Sequence, residues 1–65
     1  MKIKFCLADG GDLLFVITSE DVAGIIEASK GEKIVYSKKS YKYDHHILNH
    51  IEPHFLEVIV YVNEY

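Results

Sequence analysis

A four-residue turn near the start of the chain, Asp-Gly-Gly-Asp at residues 9–12, separates two apolar runs and limits how this segment can fold. Glycine reaches positive φ without a Cβ clash, so the turn favours a tight reversal. Before it, Ile3, Phe5 and Leu7 alternate with other residues at the period of a half-buried strand. After it, residues 13–17 are all apolar, which predicts a central strand buried on both faces. The sequence therefore predicts an N-terminal β-hairpin.

A helix-start signal follows this hairpin directly. Thr18 is placed as the N-cap and Asp21 as the third helical residue, which is a capping-box pattern. Apolar residues then recur at helical spacing, and Gly31 is placed to end the helix. These features together predict a helix over residues 19–30.

The next part of the chain predicts two strands and one ambiguous segment. Residues 33–36 predict a third strand, residues 37–40 a polar turn, and residues 41–43 the start of a fourth strand. Residues 45–55 fit either a short helix or a strand followed by a turn, and the spacing of their apolar residues favours the helix.

The last predicted strand, residues 56–62, is apolar on both faces. Such a strand belongs at the centre of a sheet or against another subunit. We therefore expect it to contribute a partner-binding surface. The side chains of this surface are Val58, Ile59, Val60, Tyr61 and Val62.

The order of elements is β-β-α-β-β-(short α or turn)-β, which predicts an α+β fold with one main helix. The sheet is expected to be antiparallel or mixed, with four to five strands. Residues 1–65 make a single domain, near the lower size limit for folding without disulfides, a metal or a partner. Cys6 is the only cysteine, which excludes a disulfide within the chain. The apolar fraction of 49% suits burial of further surface between subunits, so we expect a homo-oligomer, most simply a dimer.

Charge and hydropathy narrow the possible functions further. Ten carboxylates outnumber seven basic residues, all of which are lysines. Arginine is the usual bidentate ligand of guanine and of phosphate, so its absence lowers the expectation of sequence-specific nucleic-acid binding. The basic start leads into an apolar run too short for a secretion signal, and no run is long enough to span a bilayer. We therefore expect a cytoplasmic protein with no membrane partner.

Four histidines, at positions 45, 46, 50 and 54, form a candidate metal site. On a helix, His46 and His50 would share one face, at the spacing that lets two imidazoles bind one zinc or nickel ion. The zinc-peptidase pattern is incomplete, because Ile47 stands where a glutamate would follow the first histidine. The alternatives are a pH-sensitive or partner-binding patch, and histidines that are simply solvated or at the edge of the core.

A segment rich in lysine and tyrosine is a candidate nucleic-acid surface. Lysines can neutralise phosphates while tyrosines stack on the bases of a single strand. The alternative is an exposed hairpin whose lysines oppose edge-to-edge aggregation. The residues of this segment are Lys38, Lys39, Tyr41, Lys42 and Tyr43.

No pattern in the chain predicts catalysis. Cys6 lies in the middle of a predicted strand without a local activating motif, which favours a structural thiol. A domain of this size also has little room for a cleft that encloses a substrate. We therefore expect neither enzymatic activity nor a cofactor.

The helix and the segments after it show one likeness to known proteins. A capped helix at residues 17–28, with a small residue before an apolar pair, is followed by Lys-Gly at 30–31, a strand, and an isoleucine-rich segment at 47–53 that ends in Glu-Pro. This layout resembles small accessory proteins of phages and Gram-positive bacteria over about half the chain. The resemblance implies binding to host or phage proteins, and it transfers no catalytic residue. The leading hypothesis is a non-enzymatic protein-interaction module, with nucleic-acid binding and transition-metal binding as alternatives.

Overall fold

The computed structural model describes residues 1–52 and 55–65, and for Ile51 it describes the backbone alone. Pro53 and His54, which belong to the ambiguous segment, lie outside the described residues. Within the described residues, one helix lies between the second and third of five strands, which confirms the α+β class. The elements are β1 (Lys2–Leu7), β2 (Leu13–Thr18), α1 (Val22–Gly31), β3 (Ile34–Tyr36), β4 (Lys39–Glu52) and β5 (Phe55–Glu64).

The five strands form one mixed sheet in the order β2-β1-β5-β4-β3. β1 runs parallel to β5, and the other neighbouring strands are antiparallel. β5 is therefore paired on both sides at the sheet centre, one of the two positions that its two-sided apolarity predicts. β2 and β3 form the two edges. The prediction that β2 is central is wrong, because β1 uses its other side to pair with β5.

The predicted turn at residues 9–12 connects β1 and β2 as a hairpin. Gly10 and Gly11 have φ values of 87° and 75°, which glycine adopts without strain. The Leu7 N–H donates to the Asp12 carbonyl at 2.8 Å and closes the loop. Next to the loop, a β-bulge between Phe5 and Cys6 shifts the register of the β1/β2 pair by one residue.

Helix α1 begins three residues later than the predicted start. Thr18 cannot cap it, because this residue is still paired in the β1/β2 ladder. Asp21 is the N-cap instead, and its Oδ1 accepts a hydrogen bond from the Gly24 N–H at 3.1 Å. Gly31 is the last helical residue rather than the stop, and Glu32 follows as the C-cap in an extended conformation.

The segment predicted as a short helix is strand instead. β4 continues without a break to Glu52, and its second half pairs with the start of β5. Successive residues of a strand lie on opposite faces, so Ile47 and Leu48 do not form one buried face. They are 40% and 55% exposed. The hydrogen bonds of the β4/β5 ladder stabilise the extended conformation of this segment more than its weak helical spacing of apolar residues stabilises a helix.

The core lies on the inner face of the sheet, which α1 covers. The apolar side chains of β1 and β5 that share this face interlock across the parallel pair, and the apolar side of α1 packs on them. Ile3, Val60 and Val62 are fully enclosed. The helix makes its nearest backbone contacts with β4, so it lies toward that side of the sheet.

β3 and β4 form a second hairpin with a loop of two residues. Tyr36 pairs with Lys39, so the loop consists of Ser37 and Lys38 and is shorter than the predicted turn over 37–40. Both loop residues have positive φ, 51° and 66°. A two-residue loop with two positive φ values normally carries Asn-Gly or Asp-Gly. Here the hairpin tolerates two less suitable residues.

Candidate interaction surface

The five β5 side chains predicted to bind a partner lie in the middle of the sheet. Val58, Val60 and Val62 are at most 4% exposed and belong to the core, so this chain already covers them. For these three valines the prediction is wrong. Ile59 and Tyr61 lie on the outer face, are partly buried, and remain candidates for contact.

The lysines and tyrosines of the candidate nucleic-acid surface are separated in the structure. Tyr41 is 4% exposed and belongs to the core, so it is not free to stack on a base. Tyr43 lies on the same inner face, whereas Lys42, between them, lies on the opposite face. Lys39 lies with its Nζ 3.4 Å from Glu64, at the end of the hairpin. The fold therefore does not present these residues together to one nucleic-acid strand.

His46 and His50 lie on β4, and the helical spacing that favoured a shared metal ion is absent. Four residues along a strand separate the two by about 13 Å, with side chains perpendicular to the sheet. To bind one zinc ion, both imidazoles would have to place a nitrogen about 2.1 Å from the metal. His46 instead forms a hydrogen bond through its Nδ1 to the Tyr43 hydroxyl. Among residues 1–52 and 55–65, no group of three or more histidine, cysteine, aspartate or glutamate side chains is placed to hold a metal.

Asp44 occupies a β-bulge in the middle of β4, where the register with β5 shifts. Its Oδ2 bonds to the Nδ1 of His45, and its Oδ1 accepts a hydrogen bond from Asn63 at 2.9 Å. These two hydrogen bonds, the one from His45 first, lower the pKa of Asp44 below its ordinary value. Part of the histidine cluster therefore serves to fix the irregular part of the β4/β5 pair.

Glu57 is a buried carboxylate on the outer face that the sequence pattern did not single out. Its side chain is 7% exposed, and its Oε2 lies 3.1 Å from the Nζ of Lys4. Its Oε1 accepts a hydrogen bond from Asn49 at 2.9 Å. Hydrogen bonds from Asn49 and Lys4 lower the pKa of Glu57 below its ordinary value. Glu57 and its two partners lie on three different strands, so the cluster becomes visible only once the strand register is known.

Cys6 is a buried free thiol, as expected of a structural cysteine. Burial raises the pKa of Cys6, against a smaller opposing effect of Lys4. A raised pKa keeps the sulfur protonated at neutral pH, which is the reverse of what a nucleophile needs.

The outer edge of β2 has no strand partner within residues 1–52 and 55–65. Met1 and Ser19 exchange two hydrogen bonds of 3.1 Å just beyond the end of the β1/β2 ladder. Antiparallel pairs alternate, so Ile17 also bonds to β1, whereas Val16 and Thr18 direct their N–H and C=O groups away from it. We call this row of outward backbone groups the β2 edge.

The side chains around the β2 edge are apolar in the middle and acidic at the ends. Residues 13–18 contain no ionisable side chain, and Leu13 and Val16 are 56% and 43% exposed. Exposed carboxylates flank the strand on both sides. They are Asp9 and Asp12 in the preceding turn, and Glu20 and Asp21 in the connection to α1.

An apolar groove of about 400 Å³ lies between the first turns of α1 and the middle of β4. Exposed Leu48 and Met1 form part of its wall, next to Val22 and Ile26 of the helix. The groove adds apolar surface at the end of the sheet where β2 finishes.

Sequence reasoning missed the β2 edge because it placed β2 at the sheet centre. An uncharged apolar run fits a central strand and an exposed edge equally well. The acidic residues at both ends mark only where the strand meets its connections, so the edge position becomes visible only with the strand order.

No helix in the described part of the chain is long and apolar enough to cross a membrane. Comparisons of the chain with protein-family models, with curated proteins and with solved structures found no match.

Proposed function

We propose that this chain is a non-enzymatic interaction module that binds another protein chain by strand addition at the β2 edge. The observation that carries the proposal is the row of outward N–H and C=O groups at Val16 and Thr18 on a strand without charged side chains. An incoming strand gains main-chain hydrogen bonds there and apolar contacts on both faces. The bound chain is a second copy of this protein or a different protein.

The amount of exposed apolar surface supports this proposal. Nine large apolar side chains are at least 40% exposed among the described residues. A small domain with so few enclosed side chains gains stability when a partner binds its folded state. A cytoplasmic accessory or regulatory role, of the kind that the resemblance to phage and Gram-positive proteins implies, fits such a module.

A proline at the β2 edge tests the proposal. Val16→Pro removes an outward N–H without taking a hydrogen bond from the β1/β2 ladder, and proline is tolerated at such edge positions. Val16→Thr is the matched control, because it changes the side chain and keeps the N–H.

Two measurements on folded wild type and variants decide the outcome. Sedimentation velocity over a broad micromolar range reports self-association, and quantitative affinity capture from the native cell reports other partners. We expect wild type and Val16→Thr to associate with equal affinity and Val16→Pro to associate at least tenfold more weakly. The amides of Val16 and Thr18 should gain protection from hydrogen exchange on association. Association that is unchanged in folded Val16→Pro contradicts the proposal.

A further inference from the structure

Resting on the proposed function, we infer that the β2 edge takes an extended segment of a different protein that is apolar at alternate positions and basic at both ends. The β2 edge itself sets the length and shape of this segment. A strand of six residues spans about 20 Å, so the paired part of the partner has about six residues.

The apolar core of the segment follows from the side chains beside which it would lie. On the inner face an added strand contacts Ile17, which is only partly buried, next to Phe15, whose ring already stacks on Tyr36. On the outer face it contacts Val16, which is 43% exposed. Apolar side chains at alternate positions of the partner share one face, so they would cover Ile17 on the inner face, and the positions between them would lie beside Val16.

The basic ends follow from the carboxylates at both ends of β2. Asp9 and Asp12 lie beyond its first residue, and Glu20 lies beyond its last, all exposed. Lys2 and Lys4 lie on β1, one strand further from an added segment, and Lys4 is already paired with Glu57. Lysine or arginine residues that flank the bound segment would therefore meet carboxylates in either orientation.

The same charges disfavour a second copy of this chain at the β2 edge. A closed two-fold dimer pairs β2 with itself in antiparallel orientation. That arrangement places the Asp12 end of one copy beside the Glu20 end of the other, twice. Each copy also carries a formal net charge of −3. Self-pairing is thus repulsive at both ends, whereas a basic partner is attracted there.

Two labelled peptides with the same core test this inference. Both contain alternating valine and threonine over five residues, flanked at each end by two lysines in one peptide and by two glutamates in the other. Fluorescence anisotropy measures their binding to the full chain at about 50 and about 200 mM salt. The variants are Val16→Pro, its control Val16→Thr, and Asp12→Asn, which removes one of the proposed charge contacts.

We expect the lysine peptide to bind with a Kd below about 100 µM at low salt, and several-fold more weakly at high salt. The glutamate peptide should bind wild type at least tenfold more weakly than the lysine peptide. Val16→Pro should no longer bind the lysine peptide. Asp12→Asn should reduce the ratio between the affinities of the two peptides. Equal binding of the two peptides, or no binding of the lysine peptide to folded wild type, overturns the inference.

Sedimentation of the same samples separates this inference from the proposed function. A wild-type dimer that Val16→Pro dissociates supports strand addition but overturns the heterotypic basic partner. Peptide binding and self-association that are both insensitive to Val16→Pro overturn the two proposals together.

Discussion

The two edges of the sheet differ in length, charge and backbone regularity. β2 has six residues and no ionisable side chain, whereas β3 has three residues and ends in a two-residue loop with two positive φ values. Lysines surround β3 at positions 33, 38 and 39. Short length and lysine are devices that keep an edge from pairing with another chain. β3 thus has both devices, and β2 has neither.

The C-terminal residue of the chain also covers the region around β3. The Nζ of Lys33 lies 5.2 Å from the ring centroid of Tyr65, and the Tyr65 N–H donates to the Ser40 carbonyl at 3.1 Å. The C-terminal residue therefore packs beside the β3/β4 hairpin, whereas the outward backbone groups of β2 have no strand partner within the described residues. This difference between the edges supports the proposal that a partner strand binds at β2 rather than at β3.

The two edge strands nevertheless share one feature, an aromatic stack on the inner face. Phe15 of β2 stacks on Phe5 with centroids 4.5 Å apart, and on Tyr36 of β3 at 4.7 Å. Because β2 and β3 are at opposite ends of the strand order, this contact requires the sheet to curl. The edges differ in their backbone but are tied through their side chains.

The largest effect is expected from proline on the two sides of β2. Ile17→Pro takes a hydrogen bond from the β1 ladder and leaves its acceptor unpaired, so it should lower the free energy of unfolding by about 1 to 3 kcal/mol. Val16→Pro removes an outward N–H and should cost much less. Urea unfolding followed by circular dichroism measures both, with Val16→Thr and Ile17→Thr as side-chain controls. Equal losses for the two prolines would mean that Val16 does not face a free edge.

A smaller effect is expected from the stack that ties the two edges. A double-mutant cycle with Phe15→Leu and Tyr36→Leu should give a coupling energy of about 1 kcal/mol, the range measured for aromatic pairs. Thermal or urea unfolding of the four proteins supplies the cycle. A matched cycle of Phe15→Leu with Val35→Leu serves as control, because Val35 is 66% exposed on the opposite face. Additive effects for Phe15 and Tyr36 would show that the edges are independent.

The elements that sequence reasoning predicted well are those whose signals are local. The turn at residues 9–12 needs glycine at positive φ, and Gly10 and Gly11 supply it. The existence of α1 follows in the same way from helical spacing, but its start does not. Thr18 satisfies a capping pattern locally and is nevertheless held in β2 by its partner on β1. Thr18 itself makes no ladder hydrogen bond, so the bonds of its neighbours Ile17 and Ser19 hold it in the extended conformation.

Long-range pairing decides the parts that could not be predicted. The second half of β4 has a spacing compatible with helix and becomes strand because β5 pairs with it. The edge position of β2 depends on which strand β1 takes as its second neighbour, and no residue of β2 encodes that choice. The Lys4–Glu57–Asn49 cluster likewise joins three strands whose register only the fold defines.

A substitution in the loop between β3 and β4, at the opposite edge of the sheet from β2, is expected to stabilise the fold. Ser37 and Lys38 both adopt positive φ, a conformation that costs residues with a Cβ about 1 kcal/mol or more each. Replacing them by Asn-Gly should raise the free energy of unfolding by about 0.5 to 1 kcal/mol, since this pair suits a two-residue hairpin loop. Thermal unfolding measures the gain. Ser40→Asn, outside the loop, is the control, and a gain of the same size there would contradict the explanation.

The smallest effect is expected from the Glu57 carboxylate of β5, which forms an ion pair with Lys4 of β1, the strand next to β2. The pKa of Glu57 is lowered in the folded state, so its stabilising contribution is complete above the ordinary value of 4.5 and is lost as the pH falls through the lower folded pKa. Glu57→Gln removes this contribution. The stability difference between wild type and Glu57→Gln should therefore be constant at neutral pH and shrink below about pH 4.5, as measured by urea unfolding at a series of pH values. Lys4 lies opposite Val16, so hydrogen exchange at acid pH should increase at the Ile17 amide more than at amides of the β3/β4 hairpin. Equal increases at both edges would show that this ion pair does not support the β2 side of the sheet in particular.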